Sequence, residues 1–386
     1  MTPVLYQTKE DCCGCKACAN ACPCDAISFQ ADEYGFWYPV IDEGKCIGCN
    51  KCIKTCDFQK KEVLGHKPLA GLAARHKEKA VYDNSTSGGM FTAIAEWVLA
   101  KGGLVYGCVY NDDMKAVHTI AENKEQLAAM RNSKYVQSDV GFIYRDVKEH
   151  LKKGKLVFFT GTPCQIAALY SFLGKTDQNN LLTADLVCHG VPSPWMFREY
   201  ITYLEKKHHR KIVDYRFRDK RFGWERSVVS VRFKDGSRKW WFSTIDMFAE
   251  NYYHYNLFRH SCLHCKYACG IRMGDFTICD FWGYQKSNLK MSTIEGVSAC
   301  LLNTENAKQI VSSLNVNSEV IEPGIIIAGN HQLQKPSSKG KDWEIVMNII
   351  KDEGYDKLLP IFRKSHRKAY LKVPIKKLLL RPRKKQ

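Results

Sequence analysis

The chain alternates between short apolar runs, typical of strands, and longer runs in which apolar residues recur at helical spacing. This alternation extends from about Leu69 to Cys300 and indicates an α/β domain. The predicted strands in this region are Leu104–Tyr110, Leu156–Phe159 and Leu181–Val187. The predicted helices are Met90–Lys101, Glu125–Met130 and Gln165–Leu173.

The pattern changes after this region. Val228–Phe233 and Arg238–Ser243 flank an Asp-Gly pair, which predicts a β-hairpin and a β-rich C-terminal part of the larger domain. Beyond Pro323, Trp343–Lys351 and Asp356–Phe362 have the spacing of short amphipathic helices.

Cysteines divide the chain further, because ten of the eighteen lie before residue 57. They form two repeats, Cys12-x2-Cys15-x2-Cys18-x3-Cys22 and Cys46-x2-Cys49-x2-Cys52-x3-Cys56. Three cysteines at this spacing hold one iron–sulfur cube, and the fourth ligates the other cube. We therefore assign one [4Fe–4S] cluster to Cys12, Cys15, Cys18 and Cys56, and a second to Cys46, Cys49, Cys52 and Cys22.

Residues 5–60 resemble a bacterial-type two-cluster ferredoxin. Zinc is the rival metal, but zinc ribbons use paired C-x2-C arms and not this triple-plus-one spacing. Asp57 stands where proline usually follows the fourth cysteine, a departure that we expect to matter little. Cys13 and Cys24 are surplus, and we expect them to pack and not to ligate.

The N-terminal sequence and the cysteine content together suggest a compartment. Met1–Asp11 has neither the basic start nor the apolar core of a signal peptide, and no stretch reaches the roughly 18 apolar residues of a membrane span. We expect a soluble cytoplasmic protein, in which eighteen cysteines indicate metal binding or catalysis, not disulfides.

The net charge of +18 is concentrated at the C-terminal end, where Arg363 to Lys385 contains eleven Lys or Arg and no acid. A solvated end is the ordinary explanation. The alternatives are an acidic protein partner, nucleic acid or an anionic membrane surface. Leu378-Leu379-Leu380 favours peripheral association with the inner face of the membrane. We find no recognition helix or RNA-binding signature and expect no specific nucleic acid.

A third metal site is suggested by Cys262-x2-Cys265, since an x2 pair is a metal half-site. Cys269 follows closely. Cys164 and Cys188 are the natural further ligands, because both follow predicted strands and could meet at one sheet edge. Cys164 could instead be a nucleophile, but no positioned base is evident beyond His189. The remaining three cysteines lie in apolar runs and are expected to be buried fillers: Cys108, Cys279 and Cys300.

Small and polar segments suggest a cofactor site. Ser85-Thr86-Ser87-Gly88-Gly89 precedes a predicted helix, as either an anion site or an ordinary N-cap. Arg131–Ser138 and the charged, aromatic segment Arg218–Trp224 offer cations and hydroxyls, or are solvated turns.

Five segments in order, "STSGG", "SKYVQS", "GTPCQ", "DLVCHGVPSP" and "GDFTICDFWG", resemble the coenzyme F-420 hydrogenase/dehydrogenase beta-subunit family between about Leu69 and Gly283. The resemblance implies an α/β flavoprotein that carries FAD and one further [4Fe–4S] cluster. It implies that the cluster is ligated by Cys164, Cys188, Cys262 and Cys265, and Cys269 has no counterpart. The flavin-contacting residues that it implies are Ser87, Gly88, Gly89, Ser133, Lys134 and Tyr135.

We therefore predict four parts: a ferredoxin domain (1–60), the family's N-terminal region (69–150), its C-terminal region (151–320), and a helical and basic tail (321–386). The predicted function is that of an iron–sulfur flavoprotein oxidoreductase, which passes electrons between ferredoxin-type clusters and a two-electron substrate at the flavin. Lys134, Tyr135 and His189 are candidate proton donors. The alternative is an electron-transfer subunit that serves a redox partner protein and has no substrate of its own.

Overall fold

The computed structural model describes residues 2–380, and the last six residues of the predicted basic tail lie outside this range. Within it the strands are β1 (Ile27–Ala31), β2 (Trp37–Ile41), β3 (Ala70–His76), β4 (Leu104–Tyr110), β5 (Ala116–Ala121), β6 (Val157–Gly161), β7 (Leu181–Leu186), β8 (Ile212–Arg216), β9 (Val228–Phe233), β10 (Arg238–Phe242), β11 (Phe276–Asp280), β12 (Ser298–Leu302) and β13 (Val316–Ile321).

The α-helices of the same range are α1 (Ala17–Ala21), α2 (Lys51–Thr55), α3 (Lys79–Asp83), α4 (Met90–Ala100), α5 (Lys124–Met130), α6 (Ile143–Lys152), α7 (Pro163–Leu173), α8 (Pro194–His208), α9 (Met247–Tyr253), α10 (Glu305–Val311), α11 (Pro323–Gly329), α12 (Trp343–Ser365) and α13 (Arg367–Leu379). Gly354 has a φ of 77° and interrupts α12, so this element consists of two helices, as the sequence predicts.

The large domain is built on an eight-stranded mixed sheet in the order β13-β3-β12-β11-β7-β6-β4-β5. The four adjacent strands β11, β7, β6 and β4 are parallel to one another, whereas the pairs toward both edges are antiparallel. Helices cover both faces, which explains why β6 is buried along its whole length. The mixed α/β fold that the alternation predicts is confirmed.

A separate antiparallel sheet, in the order β10-β9-β8, forms the β-rich part of the domain. The expected hairpin joins β9 to β10, and Gly236 at its turn has a φ of 83°, which favours glycine. A hydrophobic core packs around this sheet and contains side chains of α8, α9 and α12.

The N-terminal module consists of the antiparallel pair β1–β2 and the short helices α1 and α2, which pack against each other. The loop of its first cysteine repeat faces the large domain, because the carbonyls of Cys12 and Cys13 accept hydrogen bonds from Arg259 and Gln137. Among residues 2–380, no helix is both long enough and apolar enough to span a membrane.

Candidate iron–sulfur and cofactor site

The two cysteine loops of the N-terminal module have the same backbone shape. Each has a glycine in the left-handed region, Gly14 (φ 70°) and Gly48 (φ 66°), and a second left-handed residue immediately before its helix, Lys16 (φ 60°) and Asn50 (φ 56°). Such turns point successive backbone N–H groups inward and favour an anionic group. The helices that follow end at the fourth cysteine of each repeat, Cys22 and Cys56.

The first predicted ligand set is brought together. Burial raises the pKa of the Cys18 thiol, and the nearby thiols of Cys15, Cys12 and Cys56 raise it further. Cys56 comes from the second repeat, so the fold places a cysteine of one repeat beside those of the other.

The second predicted set lines a small cavity of its own, formed by Cys22, Cys46, Cys49 and Cys52 with Cys24 beside them. Ile27 and Ile41 give this cavity an apolar side, whereas Cys49 on the other side is exposed.

The third set lies at the carboxyl edge of the large sheet. Cys164 follows β6 and Cys188 follows β7, and the two strands are parallel neighbours. Cys262 lies in the 3-10 segment His260–His264, and Cys265 follows this segment directly. Burial raises the pKa of Cys262, and the thiols of Cys188, Cys265 and Cys164 then raise it further, so all four thiols are close to one another.

Two surplus cysteines near this set differ in placement. Cys13 hydrogen-bonds to both Cys15 of the first set and Cys164 of the third set, so it lies between them. Cys269 turns away and donates its thiol to the Ile271 carbonyl at 3.7 Å.

Cys164 is the second residue of α7, whose N-cap is Thr162. The hydrogen bond from Cys13 lowers the pKa of Cys164 to about 7 against the effect of burial, and the Thr162 hydroxyl, 3.1 Å from the sulfur, acts in the same direction. The site therefore favours a thiolate, which both an iron ligand and a nucleophile require. Among the described residues, no three His, Cys, Asp or Glu side chains are close enough to hold one metal ion. A cube differs from a single ion, because each thiolate binds its own iron.

All four cysteines of the third set line one cavity of about 300 Å³ between the large domain and the N-terminal module. Four polar side-chain atoms on the lining residues are buried without a hydrogen-bond partner: Thr92 Oγ1, His118 Nδ1, Arg131 Nε and Ser261 Oγ. Buried polar atoms are rarely left unpaired, so such a concentration indicates a polar ligand.

The serine-glycine loop lies beside this cavity, but its groups are largely used by the protein. The Ser87 hydroxyl donates to the Val297 carbonyl, and the Gly88 N–H donates to Ser298 Oγ. A Cβ at Gly88 would lie 2.2 Å from the Ala74 carbonyl oxygen, so glycine permits the loop to approach β3. Gly89, with a φ of 91°, is the N-cap of α4 and lines the cavity.

The second predicted flavin segment packs on this loop, since both the N–H and the hydroxyl of Ser133 contact Thr86 Oγ1. The Lys134 ammonium donates to four carbonyls at the end of α5, and burial lowers its pKa. The Tyr135 ring stacks on Tyr252 with centroids 4.5 Å apart.

Two candidate proton donors are both uncharged at neutral pH. Burial raises the pKa of Tyr135, so its hydroxyl keeps the proton at neutral pH. Burial lowers the pKa of His189 to about 4, so this imidazole is neutral. Both residues line the cavity.

The prediction of three cysteine fillers is correct for Cys300, which is fully buried. It is wrong in part for Cys108 and Cys279, which are half-buried because they line the cavity at the ends of β4 and β11.

Asp57 has a role at the junction of the two parts that the sequence analysis did not predict. Its Oδ2 accepts a 2.8 Å hydrogen bond from the buried hydroxyl of Tyr267, and Lys266 Nζ lies 3.4 Å away. Asp57 therefore docks the N-terminal module beside Cys265. The sequence signal for this role was the departure from proline at position 57, but nothing in the sequence indicated that Tyr267 is the partner of Asp57.

The comparisons with known proteins agree with this arrangement. The family model described as coenzyme F420 hydrogenase/dehydrogenase, beta subunit, matches through its N-terminal part at residues 72–142 and its C-terminal part at residues 154–323. A 4Fe-4S dicluster domain matches residues 11–60.

An uncharacterized protein of Methanocaldococcus jannaschii is 28% identical, over 44% of this chain and 54% of its own length. A Proteus vulgaris protein described as a probable iron-sulfur subunit of the Frd operon is 37% identical, over 15% of this chain and 33% of its own length. The chain thus spans about half or less of these relatives. A chain of the F420-reducing [NiFe] hydrogenase complex from Methanosarcina barkeri has a TM-score of 0.43 and 16% identity, covering 78% of this chain and 94% of that chain. The two parts of one family model, with the dicluster domain in front of them, show that the chain belongs to the coenzyme F420 hydrogenase/dehydrogenase beta-subunit family.

Proposed function

We propose that the protein is an iron–sulfur flavoprotein oxidoreductase with three [4Fe–4S] clusters and one FAD. The observation that supports this most is that one cavity is lined both by the four thiols of the third set and by polar atoms without partners. An electron carrier and a second, polar cofactor would then share one buried space.

The residues of the cavity fit a flavin. Arg131 presents an unpartnered Nε beside the loop that ends at Gly89, where the N-terminus of the eleven-residue helix α4 favours an anionic group. The Tyr252 and Trp282 rings line the same cavity and offer flat apolar surfaces. A bound flavin would convert between one-electron clusters and a two-electron substrate.

The position of Cys13 supports an electron route. Its thiol touches ligands of both the first and the third set, so only one side chain separates the two proposed clusters. The second cluster would lie farther out, at the surface where Cys49 is exposed, and would meet an external donor or acceptor.

Tyr135 is the proton donor that we favour among the three candidates. Its hydroxyl keeps its proton at neutral pH because burial raises its pKa, and the Arg218 guanidinium beside it is buried. Lys134 is held by four carbonyls, which compete with any cofactor for its ammonium group.

Anaerobic analysis of purified protein tests the proposal. We expect about twelve iron, about twelve labile sulfide and about one FAD per chain. About eight iron and no flavin would remove the cofactors of the large domain and leave only the ferredoxin domain loaded. If the loaded chain reduces no small acceptor and needs a co-purifying protein for turnover, the alternative of an electron-transfer subunit is correct.

We also propose that α13 rests on an anionic membrane surface. Leu371, Ile375 and Leu378 recur at helical spacing and are 65%, 56% and 86% exposed, next to lysines that include Lys372 and Lys376. An exposed apolar stripe beside cations is suited to lipid headgroups more than to bulk water.

A further inference from the structure

A buried arginine without an acidic partner lies where the N-terminal module meets the large domain. Among the described residues, three arginines are buried: Arg218, Arg259 and Arg272. Arg218 pairs with Asp280 at 2.9 Å, and Arg272 pairs with Asp185 at 2.9 Å. Arg259 is 0% exposed and, within residues 2–380, forms no ion pair with a carboxylate.

The guanidinium of Arg259 bonds to neutral acceptors. Nε donates to the Cys12 carbonyl at 2.9 Å, and the two terminal nitrogens donate to Gln137 Oε1 and to the Trp37 carbonyl, both at 3.0 Å. The group also lies over the Tyr38 ring, 4.2 Å from its centroid. These contacts satisfy part of the five-donor fork but supply no negative charge, and a buried charge without one is costly.

The groups around Arg259 are predicted cluster ligands. Burial raises the pKa of the Cys12 thiol, and the charge of Arg259 is the largest influence that opposes it. The pKa of Cys164 is lowered first by Cys13 and also by Arg259. The Arg259 carbonyl, moreover, accepts the backbone N–H of Cys262 at 3.0 Å. Arg259 thus contacts the first set through its guanidinium and the third set through its backbone carbonyl, and its charge also acts on Cys164.

We propose that Arg259 is the shared counter-charge of the first and third clusters, and that it holds their reduction potentials up. A cube bound by four thiolates is anionic and gains a further negative charge on reduction, so a buried cation stabilises the reduced form. This role rests on the proposed function, but the part that concerns the first cluster needs only the clusters of the ferredoxin domain. Arg259 is a positioning residue in the sense that its charge acts on the clusters, and it has no contact with substrate.

The test is an EPR-monitored redox titration of anaerobic, cluster-loaded protein. Arg259→Met should lower the potential of the first cluster, and of the third where it is present, by about tenfold in the reduction equilibrium, or about 59 mV for one electron. The second cluster, ligated by Cys22 and the Cys46 repeat, serves as the internal reference. Arg259→Lys keeps the charge and should restore most of the shift.

Gln137→Glu keeps Arg259 but places a carboxylate where Oε1 now accepts its hydrogen bond, and should lower the same potentials. Arg145→Met is the matched control. Arg145 also binds backbone carbonyls of the N-terminal module, at Ala19 and Cys22, but it pairs with Asp25 and is one-third exposed. It should leave the first cluster's potential unchanged.

The outcomes separate the possibilities. If Arg259→Met and Gln137→Glu both load and the potential of the first cluster stays within about 15 mV of wild type, less than a twofold change, the proposal is overturned. If iron analysis shows that Arg259→Met and Gln137→Glu do not hold the clusters while Arg259→Lys does, the charge of Arg259 is required and the proposal is supported. If Arg259→Lys fails as well, the fork geometry matters and the proposal is overturned. A wild-type count of about eight iron would remove only the third cluster.

Discussion

The contact between Asp57 and Tyr267 gives the most direct test of how the two parts of the chain are joined. Tyr267→Phe removes one hydroxyl and keeps the ring. The Tyr267 side chain is 1% exposed and Asp57 is 8% exposed, so water cannot easily replace the lost 2.8 Å hydrogen bond. A hydrogen bond to a charged group contributes about 1.5–3 kcal/mol.

The expected loss is about 2 kcal/mol in the free energy that holds this interface closed, because the other partners of the carboxylate contribute less. Lys60 is 43% exposed, and Lys266 lies 3.4 Å away and also binds carbonyls of Asp57, Lys60 and Glu62. Exposed ion pairs contribute at most about 1 kcal/mol.

Hydrogen exchange followed by mass spectrometry measures this local opening without requiring the whole chain to unfold in one step. A loss of about 2 kcal/mol should speed amide exchange near Asp57 and Tyr267 by about 30-fold. Tyr284→Phe is the matched control, since its hydroxyl donates to Glu225 at 2.7 Å in an exposed position, and it should change exchange less than about twofold.

A double-mutant cycle with Asp57→Asn should give a coupling energy of about 1–2 kcal/mol. If exchange in Tyr267→Phe stays within twofold of wild type, or if the coupling is near zero, Asp57 does not dock the module as we infer.

Three further predictions test other parts of the chain. Cys164→Ala should lose about four iron per chain while Cys269→Ala keeps all of them, and equal iron in both variants would exclude Cys164 as a ligand. Burial lowers the pKa of His118 to about 4, below its unfolded value of about 6.5. The contribution of the neutral imidazole to the free energy of unfolding is therefore full above pH 6.5 and is lost as pH falls toward 4. In urea unfolding, wild type should therefore lose about 2 kcal/mol more than His118→Gln between pH 7 and pH 5, and parallel pH profiles would refute this. Full-length protein should bind phosphatidylglycerol vesicles at low salt, and the double variant Leu371→Glu, Ile375→Glu should bind at least about tenfold more weakly; no binding by wild type would exclude the lipid surface.

Local patterns in the sequence predicted part of the fold. The strand at Leu104–Tyr110 lies where the alternation placed it, and the helix at Met90–Lys101 extends to Ala100. The hairpin at Gly236 follows from its Asp-Gly pair. These features were predictable because each depends on periodicity or turn chemistry within about ten residues.

The cysteine spacing alone predicts the ligand sets of the ferredoxin module, because a cube restricts the distances between its ligands along the chain. The edge where Cys164 and Cys188 meet was also predictable from the sequence, since parallel strands end at one side of a sheet. The order of strands in that sheet was not.

Only the tertiary structure decided which charges and hydroxyls meet across the junction of the two parts. Asp57 and Tyr267 are 210 positions apart, and Arg259 reaches Cys12 across 247 positions. No local pattern marks such a pair, because the energy of a buried charge depends on what surrounds it in space and not on its neighbours in sequence. The sequence therefore determined that the chain has a ferredoxin module for clusters, whereas the packing of the two parts decided that Arg259, which forms no ion pair within residues 2–380, lies beside cysteines of the first and third sets.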